Sequence, residues 1–268
     1  MLAKLFKHEW KAVSILLLLI HGALLVFSFP GRIIISMASS NTGDYVDIIF
    51  AFYILFYVLG IVLVAFMTYL YLARRFMSNL FSDEGYLMHT LPVTPAQHLW
   101  SKFFVFVIWM IIDLIVIGLS LIILFLNKET LSELQSFMVN LWDAFITSFN
   151  SSPVGNVFYW MLSCIVSVFY SIFSIYFSIC IGSLCKTHKV LGSLGTFIGI
   201  GIVTSIISSI LMMIFQYTTT VTSGLSTAVT TQVMGDAYYL VTLVFNLLLA
   251  LGFYFGSHYI LSKKLNLQ

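Results

Sequence analysis

The residue whose type and position are most suggestive of chemistry is Asp113, inside the apolar stretch "WMIIDLIVIG". A carboxylate near the middle of a membrane span is costly, so it must face the interior of a helix bundle or a water-filled cavity. His21, in the first apolar stretch, is its best-placed partner, and His258 is less well placed. Such a pair can relay a proton, contact a cation, or form a structural hydrogen bond between helices. Because no other acid and no basic residue lies deep in a span, the sequence favours the structural role.

Catalytic and cofactor motifs are incomplete throughout the chain. His8 and Glu9 begin like the zinc motif HExxH, but the second histidine is missing. The stretch "GSLCKT" ends like a phosphate-binding loop, with Cys185 in the place of a glycine. Cys185 and His188 are too few ligands for a metal site, and the three cysteines lack framework spacing. We therefore predict no catalytic residue, no metal, no cofactor and no nucleic-acid partner for this chain.

The elements that position Asp113 and His21 must be membrane helices. Of the 268 residues, 60% are hydrophobic and only 8% are charged, whereas soluble domains are about 25% charged. A bilayer core about 30 Å thick requires about 20 apolar residues in a helix. Six stretches qualify, at approximately 12–36, 46–72, 102–126, 156–182, 190–215 and 238–261. The sequence predicts an all-α polytopic membrane protein, with six transmembrane helices forming a single domain over residues 1–268.

The basic residues predict how these spans are oriented. In a six-span arrangement, two of the 12 basic residues, Arg32 and Lys128, fall on one side of the membrane. The others fall on the opposite side: Lys4, Lys7, Lys11, Arg74, Arg75, Lys102, Lys186, Lys189, Lys263 and Lys264. Since cytoplasmic loops carry the excess of Lys and Arg, both termini are predicted to be cytoplasmic.

Residues 1–11 are predicted to form an interfacial amphipathic helix before the first span. Leu2, Leu5, Phe6 and Trp10 share one helical face, and basic side chains occupy most of the other. This pattern is typical of a helix that lies on the inner leaflet. An ordinary basic anchor for the first span explains it equally well.

The polar segment 74–101 lies between the second and third spans. Ser82 can cap a short helix that has Asp83 and Glu84 in its first turn, and Pro92 ends it. The remaining residues of that helix and its end are Gly85, Tyr86, Leu87, Met88, His89 and Leu91. Apolar side chains rimmed by charge usually mark a docking surface. Packing of the short helix against its own flanking helices is an equal alternative.

Two further segments are predicted to lie outside the membrane. Within 127–155, an amphipathic helix over 131–149 is expected to rest on the outer leaflet, with a roof over the bundle as the alternative. Segment 216–237 is rich in threonine and uncharged until Asp236. A gate-like loop buried against the bundle and an ordinary outer loop account for it equally.

Small residues follow one face of the fourth and fifth spans. Ser167 and Ser171 belong to a row of serines in the fourth, and Gly195 and Gly199 form a GxxxG motif in the fifth. Because small side chains let helix backbones approach closely, we predict that these residues mediate helix packing rather than substrate contact.

The stretch "FSDEGYLMHTLPVTPAQHLWSK", from Phe81 to Lys102, resembles a run at the same position in the permease subunits of ABC-2 type exporters. The resemblance covers the whole chain as topology, and as sequence it covers these residues alone. It implies that Asp83 to Leu91 form a coupling helix seated in a cytosolic ATPase, with Lys186 and His188 in a second, smaller contact. It further implies that ATP and Mg²⁺ bind to separate ATPase subunits and that a second permease, identical or different, completes the assembly. In that family, segment 216–237 corresponds to an outer gate.

The resemblance leads to a functional expectation. The chain is expected to be the permease subunit of an ATP-driven exporter in a bacterial cell membrane. It would move an amphipathic peptide, drug or lipid-like substrate by alternating access. Two alternatives remain open: a proton-coupled secondary transporter or channel that uses Asp113 and His21, and a membrane scaffold or sensor.

Overall fold

The computed structural model describes residues 2–39, 44–81, 85, 93–125, 135–143, 153–185, 188–223 and 229–263. Within these ranges the secondary structure is helical, without a β-strand. The helices are α1 (Leu2–Ser39), α2 (Asp44–Phe81), α3 (Pro95–Phe125), α4 (135–143), α5 (Pro153–Gly182), α6 (Lys189–Ser223) and α7 (Val229–Lys263).

Six of these helices are long and apolar enough to cross a membrane. The candidate spans are Leu2–Met37, Ile48–Phe81, Pro95–Phe125, Val157–Gly182, Lys189–Phe215 and Tyr238–Lys263. The prediction of an all-helical chain with six apolar spans is therefore confirmed, and the architecture is that of a multi-pass membrane protein.

The helices of the second and third spans extend beyond the apolar stretches 46–72 and 102–126 that the sequence predicts. α2 has 38 residues and runs past Arg74 and Arg75 to Phe81. At 1.5 Å per residue it is about 57 Å long, well beyond the roughly 30 Å of a bilayer core. α3 begins at Pro95, where a proline is tolerated because the first residues of a helix donate no intrahelical hydrogen bond.

The N-terminal segment differs from its prediction as a separate helix. α1 is continuous from Leu2 to Ser39, so residues 2–11 are the first turns of the helix that contains the first span. The apolar face of these turns packs against another helix, since the Trp10 ring stacks on Trp109 of α3 with centroids 5.2 Å apart. Phe6 stacks in turn on Trp10, at 6.2 Å.

The described chain divides into two compact units. Unit 1 comprises Met1–Arg75 and Gln97–Asn156. Its core is a buried cluster of Leu24, Tyr53, Tyr57, Val64 and Leu124. The hydroxyl of each tyrosine also forms a hydrogen bond to another helix. The Tyr57 hydroxyl hydrogen-bonds with Ser120 Oγ at 2.7 Å, and the Tyr53 hydroxyl donates to the carbonyl of Phe27. The core of unit 1 thus combines apolar packing with hydrogen bonds between helices.

Unit 2 comprises Phe76–Ala96 and Val157–Gln268. Aromatic rings form much of its core, and the closest pair is Phe76 on Tyr176, stacked at 4.0 Å. The end of α2 therefore belongs to the same packed unit as α5, and α6 and α7 pack against each other within it.

Close helix contacts occur at glycines other than those predicted. A Cβ added to Gly182 would overlap the backbone of Ser193, and one added to Gly256 would overlap the ring of Phe177. A Cβ added to Gly195 or Gly199 would meet no atom within 4 Å. No described atom therefore packs closely on Gly195 or Gly199, and the role of the GxxxG motif in helix packing stays a prediction.

The predicted external helix over 131–149 is described only at residues 135–143. These nine positions are helical and exposed, including Phe137, Met138 and Trp142. The exposure agrees with a helix lying on a leaflet rather than one covered by the described part of the bundle.

Candidate functional site

The polar site inside unit 1 is built from three helices. His21 of α1 and Asp113 of α3 are both buried, and His21 Nε2 contacts Asp113 Oδ1. Thr68 of α2, which is fully buried, places its Oγ1 3.0 Å from the same carboxylate oxygen. The pairing of Asp113 with His21 that the sequence predicts is present, and Thr68 completes a link among α1, α2 and α3.

Hydrogen bonding fixes the number of protons that this site holds. His21 Nδ1 lies 2.6 Å from the carbonyl oxygen of Leu17, and a carbonyl only accepts, so Nδ1 carries a hydrogen. One further proton then lies between Nε2 and the Asp113 carboxyl group. The pair is either imidazolium with carboxylate or imidazole with carboxylic acid, and both arrangements have zero net charge. This shared proton explains how two titratable groups coexist in an apolar bundle.

A second buried polar cluster lies nearer the start of α1. Lys102 Nζ of α3 donates to Glu9 Oε1 at 2.7 Å, and each side chain is only 5% exposed. Arg75 Nε of α2 lies 3.6 Å from Glu9 Oε2. Glu9 is thus paired by close contact with one cation and lies near a second, as buried charges require.

Two tryptophan rings connect the polar clusters. Trp109 is fully buried, stacks on Trp10 beside Glu9, and faces the ring of His21 with centroids 5.6 Å apart. Trp109 and Asp113 are four residues apart on α3, so they lie on the same face of that helix. Along α1, the residues Glu9, Trp10 and His21 therefore contact one continuous surface of α3.

Three of these residues escaped the sequence analysis. The distribution of basic residues assigns Lys102 to the cytoplasmic charges, because a charge near the end of a span normally faces water. Glu9 draws attention only as part of an incomplete zinc motif with His8. Thr68, a single hydroxyl in an apolar stretch, gave no signal. The one sequence signal for Lys102 is its spacing of 11 residues from Asp113, about three turns along the same helix, which places both on one face.

Most of the predicted coupling segment lies outside the described residues. Asp83, Glu84, Tyr86, Leu87, Met88, His89, Leu91 and Lys186 lie outside the described residues. Of the predicted loop 216–237, residues 224–228 lie outside them as well, and the backbone on either side is helical, belonging to α6 up to Ser223 and to α7 from Val229. Gly85 is described as helical and buried, and His188 is exposed. The other predicted packing residues, Ser167 and Ser171, donate to carbonyls of their own helix, at Cys164 and Val168.

The end of α2 and the beginning of α6 are well packed. Phe76 and Leu80 are buried at the end of α2, and Phe76 stacks on Tyr176. Lys189, the first residue of α6, donates from Nζ to the carbonyl of Phe81 at 3.3 Å. A lysine at a helix C-terminus satisfies a carbonyl that has no partner within the helix and suits the helix dipole. The end of α2 and the beginning of α6 are therefore joined directly.

Comparison with protein-family models, with curated proteins and with solved structures found no match to this chain.

Proposed function

We propose that this protein is the permease subunit of an ATP-driven membrane exporter, with both termini in the cytoplasm and a separate ATPase beneath it. The observation that supports the proposal best is the packed platform formed by Phe76, Leu80, Phe81, Tyr176 and Lys189, which we call the loop platform. It supports the beginning of the segment that resembles a coupling helix.

The loop platform suits a mechanical role for three reasons. First, Leu80 is fully buried and Phe76 is 1% exposed, so the end of α2 is held rather than frayed. Second, the Phe76–Tyr176 stack ties α2 to α5. Third, the Lys189 hydrogen bond ties it to the start of α6. A push on residues 82–92 would reach α5 and α6 through side chains that are already in contact.

The same platform brings together the two segments that the resemblance assigns to the ATPase. Segment 82–92 follows Phe81, and segment 186–188 precedes Lys189, the residue that bonds to Phe81. Segment 82–92 therefore begins, and segment 186–188 ends, next to the hydrogen bond between Lys189 and Phe81. A single partner surface that touches both would fit this arrangement, as would two ATPase subunits under a pair of permeases.

The proposed substrate class rests on the resemblance to ABC-2 type permeases and on the composition of the spans. The spans carry few charges to hold a polar solute, so an amphipathic peptide, drug or lipid-like molecule remains the best-fitting cargo. Alternating access driven by the partner ATPase would expose it first to one side and then to the other.

The test is ATP hydrolysis by the co-purified partner, measured in lipid nanodiscs. Glu84→Lys and Leu87→Asp are expected to abolish the stimulation of hydrolysis by the permease while leaving it folded, because both place the wrong chemistry on the proposed docking surface. Glu129→Lys, in the predicted external segment, is the matched control and is expected to keep full stimulation. Normal stimulation in Glu84→Lys and Leu87→Asp, or failure of any ATPase to co-purify, would contradict the proposal.

A second candidate, a proton-coupled transporter, is favoured by the His21–Asp113–Thr68 site. Such a protein would carry protons into liposomes without ATP, and Asp113→Asn would abolish the flux because an amide cannot exchange the shared proton. The flux is measured with a trapped pH-sensitive dye under an imposed gradient, and Ser120→Ala serves as a control in the same helix. Wild-type liposomes that are as proton-tight as empty ones would exclude this function.

A further inference from the structure

Unit 2 contains a cavity of about 250 Å³ between α5 and α7 that none of the foregoing uses. Its walls include Tyr159, Trp160, Ser163, Ser167, Thr242 and Asn246. Complete drug-sized ligands usually occupy about 300–1,000 Å³. The cavity therefore accepts a small molecule or one end of a longer one.

Two hydroxyls in the cavity wall lack the hydrogen bonds that their neighbours make. Ser163 Oγ and Thr242 Oγ1 are shielded from water and have no hydrogen-bond partner within the described residues. The other serines of α5 all donate to carbonyls of their own helix: Ser167, Ser171, Ser174 and Ser178. Thr68, Thr196 and Thr204 do the same in other helices. An unsatisfied buried hydroxyl is costly, so among the residues that line the cavity Ser163 and Thr242 have the hydroxyls most in need of a partner, which a ligand supplies when they rotate towards it.

The chemistry of the wall selects an uncharged ligand. No lining residue carries a charge, while two hydroxyls and the Asn246 amide can all donate hydrogen bonds. A group with neutral acceptor oxygens, such as the carbonyls of carboxylic esters, satisfies these donors without burying a charge.

The position of the cavity indicates where such esters come from. Ser163 and Thr242 lie seven and four residues inside the spans predicted from the sequence, 156–182 and 238–261, about 10 Å and 6 Å along each helix. Aromatic side chains surround this end, since Tyr159 donates to the carbonyl of Tyr239 at 3.0 Å and its ring contacts Trp160. Tyr and Trp collect at the membrane–water interface, close to the depth at which bilayer lipids carry their glycerol esters.

The outer rim of the cavity is apolar and open. Phe158, Met161, Leu240 and Val244 are all at least half exposed at neighbouring positions of the two helices. A lipid can therefore place its ester region in the cavity while its acyl chains run along these side chains.

From these observations we infer that the α5–α7 cavity is a binding site for the ester–glycerol region of a bilayer lipid, held by hydrogen bonds from Ser163 and Thr242. The site is independent of the proposed function, because it needs neither an ATPase nor the His21–Asp113 pair.

The test compares two phosphatidylcholines that differ only at the ester carbonyls. The full chain is reconstituted in nanodiscs with a trace of diester phosphatidylcholine that carries a diazirine near the glycerol, and cross-linked peptides are mapped by mass spectrometry. Cross-links are expected at residues 157–167 and 239–246. Unlabelled diester lipid is expected to compete about two- to tenfold better than the diether analogue, which is the effect of one or two hydrogen bonds.

Matched variants assign the effect to the hydroxyls. Ser163→Ala and Thr242→Val are expected to bring the ratio between the two competitors close to one. Thr242→Ser keeps the hydroxyl and is expected to keep the ratio, as is Ser167→Ala, which removes a cavity-lining hydroxyl that is already bonded to its own helix. Equal competition by the two lipids in the wild type, or an unchanged ratio in Ser163→Ala and Thr242→Val, would overturn the inference.

Discussion

At the scale of single residues, the buried charges of unit 1 matter because they pair and thereby position one helix against another. Glu9 and Lys102 are each 5% exposed and 2.7 Å apart. Replacing a whole buried ion pair by apolar groups is often neutral, whereas removing one partner leaves a charge in a medium that cannot solvate it. The pair therefore fixes how α1 meets α3 even if its net contribution to stability is small.

Lys102→Met is expected to lower the free energy of unfolding by about 3–5 kcal/mol, because it removes the buried cation that contacts the Glu9 carboxylate. The double variant Glu9→Gln with Lys102→Met is expected to lose less, since neither member of the close Glu9–Lys102 pair is left charged without the other. Denaturant titration in detergent micelles measures both. Lys4→Met, at an exposed position of the same helix, is the control and should change stability by no more than about 0.5 kcal/mol. A Lys102→Met variant as stable as this control would contradict the structural role.

Some of these residues could be identified from the sequence, and others could not. Asp113 and His21 stand out because polar groups in long apolar stretches are rare and must find each other. Glu9 and Lys102 sit near span ends, where charge is ordinary, so nothing local distinguishes a buried lysine from a solvated one. The sequence does not predict the roles of Thr68, Ser163 and Thr242 either. A hydroxyl in a helix normally bonds to a carbonyl of its own helix, and any other arrangement depends on the helix packed against it.

At the scale of elements, helix contacts depend on what each glycine faces. Gly182 lies against the backbone of Ser193 and Gly256 against the ring of Phe177, whereas Gly195 and Gly199 face open space. The sequence marks the GxxxG spacing in α6 but carries no information about which face of α6 is covered. The number of spans depends only on each segment's own apolar length, which is why that prediction is confirmed while the contacts between spans differ.

Three alanine substitutions form a graded series. Gly182→Ala is expected to destabilise by about 1–3 kcal/mol or more, because the added Cβ meets backbone atoms that cannot move aside. Gly256→Ala should cost less, since an aromatic ring can shift. Gly195→Ala is expected to be neutral or to stabilise by up to about 1 kcal/mol through helix propensity. Thermal unfolding in micelles gives the order of stability of the three variants. A Gly195→Ala variant less stable than Gly182→Ala would contradict the close contact at Gly182 and the open space at Gly195.

At the scale of the whole molecule, the exposed surface of the spans is apolar, as contact with lipid requires. Large apolar side chains are exposed on every candidate span, and the most apolar window of α6 has no buried residue. Such a surface needs lipid or another apolar partner around it. The direction of the six spans, which the distribution of basic residues predicts, determines which side of the membrane meets the loop platform.

That direction is testable through Cys185, which is exposed in the turn after α5, whereas Cys180 is buried. A membrane-impermeant maleimide is expected to label Cys185 in inside-out vesicles and not in right-side-out vesicles, because the positive-inside rule places this turn in the cytoplasm. Cys185→Ser removes the labelled thiol and accounts for any reaction at Cys164. Labelling in right-side-out vesicles alone would reverse the topology.

The single proton shared by His21 and Asp113 has an electrical consequence. Because the proton shifts only between two atoms in direct contact, it crosses a very small fraction of the membrane field, and a voltage does almost no work on it. Moving a full charge across the membrane would be worth about 2.3 kcal/mol per 100 mV. A membrane potential is therefore expected to have little effect on this link among α1, α2 and α3.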